Sequence, residues 1–344
     1  MNSNKRNFLK RLGISTAGTL VLGATPLFSA CAEKFAGTTP AVHTIADSDF
    51  KISLTQWALH RSFLGDSIAK GWGVFAEVLQ VNPDSLYIGS LHPDNFPAIA
   101  ADTFGIHNIE LVNTFYYGKA GNPAYWDAFK TRCDQLDVSV GLILCDVLGN
   151  IGDAGEAKRI EAVEKHQPWV DVAAKLGARA IRVNAAGSGD AQVAAANAVD
   201  GLQRLLAYAQ PRGVDVIVEN HGGYSSDGQW VSGVIKTVGN PHCGTLADFG
   251  NFCIERTATS CARGYDRYKG MTEIMPYAKG VSAKSYGFDA TGNETRIDFM
   301  RMMSIVKKSG YRGYVGIEYE GSELSEEAGI NATHALLNKC FAAI

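Results

Sequence analysis

Apolar runs of strand length recur along the second half of this chain, and a charged residue closes each one. The closing residues are Glu219, Asp248, Lys284 and Glu318. A stretch with apolar residues at helical spacing follows each run, so the pattern predicts strands that alternate with helices. Parallel strands joined by helices end at one edge of their sheet, where strand ends and loops carry the chemistry. The pattern therefore predicts that these charged side chains meet at one rim.

The alternation continues through the first half of the chain and gives the eight β/α pairs of a (β/α)8 TIM barrel. We predict a single α/β barrel domain over residues 49–344. Residues 65–97 break the alternation, and we interpret them as a long first βα loop, without a regular helix, over the barrel mouth. The strands are predicted at 51–56, 109–112, 138–145, 180–183, 214–219, 243–248, 279–284 and 314–318, and helices at 122–136, 156–176, 192–210, 296–308 and 326–344.

The first residues are typical of an export signal, and we predict a signal peptide over residues 1–31. Its start resembles the twin-arginine motif, with Lys5 in place of the first arginine, and its apolar run is too short for a comfortable membrane span. Its end resembles a degenerate lipobox. Lipidation of Cys31, which would anchor the protein to a membrane, and plain cleavage near Ala30 both remain open. Residues 32–48 are predicted to be a linker, and the protein to be periplasmic or a membrane-anchored lipoprotein.

Composition narrows the function further. The 344-residue chain has a net charge of −3, so it lacks the basic surface that nucleic-acid binding requires. Its cysteines form no CxxC pair. Cys253 and Cys261 are the nearest pair for a disulfide in an oxidising compartment, whereas Cys145 and Cys243 fall within strand patterns and are expected to be buried.

Acidic side chains that converge on one rim repel each other unless a cation lies between them. Glu219, Asp248 and Glu318 therefore predict a divalent metal site for Mn²⁺, Mg²⁺ or Zn²⁺. Such an ion polarises a carbonyl group, and a carboxylate beside the bound carbon can remove and return a proton. We predict Glu219, Glu318 and Lys284 as catalytic residues, although a salt-bridged strand end is the alternative for each acid and simple charge neutralisation for Lys284.

These strand-end motifs resemble those of the sugar phosphate isomerase/epimerase superfamily, the xylose-isomerase-like TIM barrels, over residues 50–342. The motifs are Val-Glu219-Asn-His-Gly-Gly, Ala-Asp248-Phe-Gly-Asn251-Phe, Val-Ser282-Ala-Lys284-Ser-Tyr and Gly-Ile-Glu318-Tyr-Glu-Gly. The resemblance implies that Glu219, Asp248 and Glu318 bind the metal, and that Glu110 matches a glutamate of the second strand. The chain departs from the family at Ser282, where a metal-binding histidine is usual, and at Asn251, where a substrate-binding histidine is common.

Further polar and aromatic residues are candidates for binding the substrate. Arg182 and Asn184 end the fourth predicted strand with inward spacing, with an ion pair as the alternative for Arg182. Aromatic rings stack on the apolar faces of sugars, and ordinary packing is the alternative. The candidate substrate-binding residues are Glu110, Arg182, Asn184, His221, Asn251, Tyr286 and His60, and the aromatic residues expected at the mouth are Tyr116, Tyr117, Trp126 and Trp230.

The leading hypothesis is a metal-dependent isomerase, epimerase or lyase that acts on a small carbohydrate by proton abstraction next to a carbonyl. Export favours an unphosphorylated sugar or keto-sugar derivative, because sugar phosphates are chiefly intracellular. One alternative is a sugar-binding lipoprotein on the same barrel that has no catalytic activity. A phosphodiesterase that resembles apurinic endonucleases is disfavoured, because that family needs a histidine-rich zinc cluster at its strand ends. The sequence does not choose between epimerisation, isomerisation and elimination.

Overall fold

The structure is a computed structural model, and it describes residues 49–185, 187, 189–257 and 259–344. The predicted signal peptide and linker, residues 1–31 and 32–48, lie outside the described residues.

Parallel strands in the described part of the chain close into a barrel with the order β1-β10-β9-β6-β5-β4-β3-β2. Helical structure follows each barrel strand, after a hairpin in the case of β6, so the predicted (β/α)8 TIM barrel is confirmed. The strands are β1 (Phe50–Thr55), β2 (Asn108–Val112), β3 (Ser139–Leu144), β4 (Ala180–Val183), β5 (Asp215–Glu219), β6 (Cys243–Asp248), β7 (Cys253–Arg256), β8 (Cys261–Gly264), β9 (Ala278–Ser285) and β10 (Gly313–Tyr319).

Helices pack around the outside of the barrel, and their ends follow local sequence signals. Asp190 and Asp227 accept hydrogen bonds from backbone N–H groups of the first turn of the helices that follow them. Gly177 ends another helix with φ = 74°, a conformation that favours glycine. The α-helices are α1 (His60–Leu64), α2 (Trp72–Val81), α3 (Phe96–Ala98), α4 (Pro123–Gln135), α5 (Glu156–Leu176), α6 (Ala191–Ala209), α7 (Gly228–Val238), α8 (Arg267–Ile274), α9 (Phe299–Lys308) and α10 (Glu326–Ala343). Among the helices described, none combines the length and the apolar character that crossing a bilayer demands.

The prediction for residues 65–97 was wrong in one respect, because the segment contains the regular helix α2. This helix buries a narrow face formed by Phe75 and Leu79, one turn apart. Trp72 and Val81, by contrast, are 45% and 86% exposed. Apolar residues on both sides of the helix obscure its periodicity in the sequence.

An antiparallel hairpin, β7–β8, follows β6 and leaves the barrel wall. A disulfide between Cys253 and Cys261 joins its two strands. These are the two cysteines that the sequence favoured as a pair. Cys145 and Cys243 are buried free thiols, as the strand patterns predicted. The hairpin itself was not predicted.

The registers of β6, β9 and β10 set the geometry of the strand ends. Ser282 of β9 lies beside Asp248 of β6, and Lys284 lies beside Glu318 of β10. Side chains two residues apart on a strand point to the same face, so Ser282 and Lys284 both point into the barrel.

Candidate active site

Three buried carboxylates meet at the C-terminal end of the barrel. Glu219, Asp248 and Glu318 lie on β5, β6 and β10, and each is at most 4% exposed. One oxygen from each carboxylate lies within 4.8 Å of the others, a spacing that could hold a metal ion. The sequence-based prediction that these acids converge on one point is therefore what the geometry shows.

Ser282 connects two of the three carboxylates. Its hydroxyl oxygen lies 2.9 Å from Asp248 Oδ2 and 2.7 Å from Glu318 Oε2. A hydroxyl carries a single proton and can donate to only one of them at a time. The Ser282 hydroxyl can therefore donate a hydrogen bond to only one of the two carboxylates. The other carboxylate needs a proton or a cation near this oxygen.

Lys284 provides positive charge on the other side of this group. Its Nζ lies 3.1 Å from Glu318 Oε1, 3.4 Å from Glu320 Oε1 and 3.7 Å from Asp248 Oδ2. Burial by itself would lower the pKa of Lys284, but the surrounding carboxylates outweigh it and raise the pKa well above its usual value. Lys284 is therefore a permanently charged hydrogen-bond donor at the edge of the carboxylate group.

A second ion-pair network flanks Glu219. Arg182 binds Asp146 through both terminal nitrogens, at 2.7 and 3.2 Å, and Asn184 Nδ2 donates to Asp146 Oδ1 at 2.7 Å. Although burial opposes it, the guanidinium group of Arg182 holds the pKa of Asp146 well below its usual range. Val147, the next residue, has φ = 58°, a strained conformation for a β-branched residue and one that concentrates at functional sites.

The carboxylates of this site outnumber its fixed cations. Burial, together with repulsion from neighbouring acids, raises the pKa of Glu219 and of Asp248 to about 7, although Arg182 and Lys284 oppose the shift. A divalent cation between the carboxylates would lower these pKa values, because opposite charge favours the ionised form. Among the described residues, the acids are Asp146, Glu219, Asp248, Glu318 and Glu320, and the partners with permanent charge are Arg182 and Lys284.

The side chains present fit a metal ion that prefers oxygen ligands. Glu219 Oε2 is buried, lies 2.8 Å from Arg182 Nε, and makes no hydrogen bond within the described residues. The donor atoms grouped here are carboxylate oxygens, with the Ser282 hydroxyl beside them, and oxygen donors suit Mg²⁺ and Mn²⁺ better than Zn²⁺. Glu219, Asp248 and Glu318 are thus the residues that would hold the metal.

A cavity of about 280 Å³ opens beside the carboxylates. Glu219, Glu318, Lys284, Arg182 and His221 line it, so these predicted site residues come together. Asp248 lies beneath them, fully buried, with Oδ1 accepting hydrogen bonds from the backbone N–H groups of Gly250 and Asn251.

Glu110 does not line this cavity. Its two carboxylate oxygens accept hydrogen bonds from Ser53 and Thr55 at 2.6 and 2.7 Å, and it faces a separate cavity at the N-terminal end of the barrel. The physical reason is depth, since Glu110 lies two residues before the end of β2 and Val112 occupies the level of the active site. Glu110 is therefore one layer below the position that the resemblance implied.

Asn251, Tyr286 and His60, which were predicted to bind the substrate, do not line the cavity. Asn251 Nδ2 donates to Glu219 Oε1 at 3.2 Å. Tyr286 packs against Arg296, and His60 stacks on Trp57 at 4.9 Å between ring centroids. Asn184 does not line the cavity either, and its amide group hydrogen-bonds with Asp146 and Arg182.

The expectation that Tyr116 and Trp126 lie at the mouth was wrong. Both are fully buried and pack against Phe129 in the shell between the barrel and its helices. Tyr117 and Trp230 are half-buried and do not line the cavity. Trp57 and Trp72 form the aromatic lining instead.

Asp146 and Glu320 are site residues that the sequence analysis missed as candidates. Asp146 lies two residues after the end of β3, and Glu320 directly follows β10. The rule that identified the other acids, a charge at the end of an apolar run, could have found both. Trp72 had no such signal, because its position depends on where α2 packs.

Comparison with known proteins agrees with this architecture. A family model for the xylose isomerase-like TIM barrel matches residues 98–340. The chain belongs to this family. The structure of 3-keto-D-glucoside 4-epimerase from E. coli superimposes with a TM-score of 0.57 at 17% identity, covering 72% of this chain and 95% of that one. A xylose isomerase-like barrel from Mycobacterium smegmatis in complex with magnesium gives 0.56 at 15% identity, covering 85% and 97%. At these identities the likeness shows the fold alone.

One curated relative also matches a short segment. The C-glycoside deglycosidase alpha subunit of Arthrobacter globiformis is 41% identical over 54 residues. That segment is 16% of this chain and 15% of the relative's length.

Proposed function

We propose that this protein is a metal-dependent enzyme that removes a proton next to the carbonyl group of an unphosphorylated keto-sugar derivative. The observation that carries the proposal is the group of three buried carboxylates, Glu219, Asp248 and Glu318, with ligand oxygens within 4.8 Å of one another beside a cavity. A bound divalent cation would polarise the substrate carbonyl and stabilise negative charge on its oxygen.

The protein's own groups would perform the remaining tasks. Glu219 and Glu318 both line the cavity, from strands that β6 and β9 separate, and each can accept a proton from a bound sugar carbon. Lys284 can donate a hydrogen bond to an oxygen that gains negative charge. Arg182, fixed by Asp146, would orient a hydroxyl or carbonyl group of the sugar.

The relatives support the class of substrate rather than the exact reaction. A 3-keto-D-glucoside epimerase and a C-glycoside deglycosidase both act on sugars with substituents. Proton abstraction beside a carbonyl is a step that epimerisation and elimination of a glycosidic substituent share. The predicted export signal is consistent with an unphosphorylated substrate outside the cytoplasm.

Solvent exchange tests the proposal without assuming the final product. The protein, loaded with Mn²⁺ or Mg²⁺, is incubated in D₂O with a panel of keto-sugars and keto-glycosides, and deuterium incorporation is measured by mass spectrometry. We expect incorporation next to the carbonyl, lost at least 100-fold in Glu219→Gln and Glu318→Gln and after chelation of the metal.

The matched control is Glu255→Gln, because Glu255 is an exposed acid of the β7–β8 hairpin paired with Arg263. Circular dichroism confirms that each variant is folded. Binding of sugars without exchange in the wild-type protein would favour the sugar-binding lipoprotein instead. The phosphodiesterase alternative remains disfavoured, because the one group of potential metal ligands among the described residues contains no histidine.

A further inference from the structure

The active-site cavity has two chemically different walls, and the barrel order explains why. Its apolar lining consists of Trp57, Trp72, Val112 and Leu144. These residues come from β2, β3 and the segments after β1, and β1, β2 and β3 are neighbours in the barrel. The charged lining comes mainly from β4, β5, β9 and β10 on the other side. A ligand in this cavity would therefore contact charged side chains on one side and apolar side chains on the other.

The apolar wall reaches from the carboxylates to the protein surface. Trp57 Nε1 donates to Glu320 Oε1 at 2.7 Å, and Glu320 in turn pairs with Lys284 at 3.4 Å. Trp72 meets Trp57 edge to face, with 6.0 Å between centroids, and its ring stacks on Phe75 at 5.1 Å. Trp72 is nevertheless 45% exposed. It is thus held in place from behind and presents open apolar surface at the rim.

We propose that the substrate is a glycoside with an aromatic substituent, which lies on Trp72 while its sugar ring contacts the carboxylates. This inference rests on the proposed function, since it identifies the substrate class of the same site. A cavity of about 280 Å³ is at the small end of ligand pockets, so a substituent on a bound sugar extends beyond the rim.

An aryl group suits this wall better than a second sugar. A second sugar needs hydrogen-bond partners, and the cavity-lining residues from β1 to β3 before Asp146 are apolar. The nearest acid, Glu320, already accepts from Trp57 and contacts Lys284. Aromatic rings gain from offset or edge-to-face contact beyond the area they bury, and leave no polar group without a partner.

Two measurements test the proposal. KM and kcat for solvent exchange are compared for the phenyl, methyl and glucosyl glycosides of one keto-glucose. Isothermal titration then measures binding of the unoxidised phenyl and methyl β-glucosides, which requires no turnover. We expect KM and Kd for the phenyl compounds to be at least tenfold lower than for the methyl compounds in the wild-type protein.

The variants separate stacking from other roles of the wall. Trp72→Ala is expected to remove most of the phenyl preference, because the phenyl values rise more than the methyl values, whereas Trp72→Phe keeps most of the preference. Val81→Ala is the matched control, because Val81 lies on the same helix, is 86% exposed and does not line the cavity. It should change nothing.

Each outcome decides between the two proposals. Equal values for phenyl and methyl compounds, a preference for the glucosyl compound, or an equal loss for all compounds in Trp72→Ala would overturn the aryl inference alone. Exchange with no compound would reject the proposed function. In that case, equal Kd values for the phenyl and methyl β-glucosides in the titration would overturn the aryl inference as well. A lower Kd for the phenyl β-glucoside would instead indicate an aryl-glycoside binding site without catalysis.

Discussion

Ser282 stands where the resemblance implies a metal-binding histidine. It pairs with Asp248 in the sheet register, and its hydroxyl reaches both Asp248 and Glu318. An imidazole at this position would add a nitrogen ligand, whereas the serine adds an oxygen beside Asp248 and Glu318. We infer that Ser282 tunes the site towards metals that prefer oxygen.

This inference predicts a change in metal selectivity. In Ser282→His, the ratio of Zn²⁺ to Mn²⁺ affinity should rise at least tenfold, because imidazole suits Zn²⁺ and the carboxylates are retained. Isothermal titration with each metal alone measures the ratio. Ser282→Ala is the control and should leave the ratio near its wild-type value. An unchanged ratio in a folded Ser282→His protein would show that position 282 does not contact the metal.

His166 is a buried histidine of α5 that the proposed chemistry does not use. Burial lowers its pKa to about 4, although a hydrogen bond from the ring to the Ala162 carbonyl oxygen, at 2.6 Å, opposes the shift. Arg182 also lowers the pKa and Asp146 raises it. In the unfolded chain, a histidine has its ordinary pKa near 6.5.

The sign of the resulting pH dependence follows directly. Above about pH 6.5 His166 is neutral in both the folded and the unfolded state. Between about pH 6.5 and 4 only the unfolded state takes up the proton, so the free energy of unfolding decreases as the pH is lowered. We expect the free energy of unfolding, from urea titrations, to fall by about 2 kcal/mol more between pH 7 and pH 5 in the wild-type protein than in His166→Gln. Parallel curves for the two proteins would show that His166 titrates normally when folded.

At the scale of elements, close contacts between helices and loops depend on particular glycines. A Cβ on Gly201 of α6 would lie 2.0 Å from the Ile151 carbonyl oxygen. Gly233 of α7 is exposed, and a Cβ there would meet nothing within 4 Å. Both glycines lie inside helices, so they make a matched pair.

The pair predicts opposite effects of the same substitution. Gly201→Ala should lower the free energy of unfolding by about 2 kcal/mol, because the backbone must move to relieve the overlap. Gly233→Ala should raise it by roughly 0.5–1 kcal/mol, because alanine favours the helix. Chemical denaturation measures both, and a stabilising Gly201→Ala would mean that α6 does not pack as closely as the structure shows.

The elements themselves differ in how far the sequence predicts them. Barrel strands β4 and β6 are short and mostly apolar, each has a charged residue at or next to its last position, and both were predicted with their observed bounds. The β7–β8 hairpin is mostly exposed and depends on a disulfide rather than an apolar face, so it leaves no periodic signal. Helix α2 was missed because apolar residues occur on both its buried and its exposed sides.

At the scale of the whole molecule, the closed barrel turns positions spread along the chain into two walls. The strands next to the apolar lining, β1, β2 and β3, are neighbours, and most of the charged lining comes from the strands that follow them in the chain and around the barrel. This arrangement gives the cavity a polar side and an apolar side.

The sequence by itself determined the barrel and the meeting of Glu219, Asp248 and Glu318, because apolar periodicity and strand-end charges are local and parallel strands share an edge. Only the tertiary structure decided depth and neighbours: Glu110 lies a layer below the site, and Trp72 reaches the cavity from a helix outside the barrel. Strand register and helix packing set these positions through contacts between residues far apart in the chain, which no local pattern encodes.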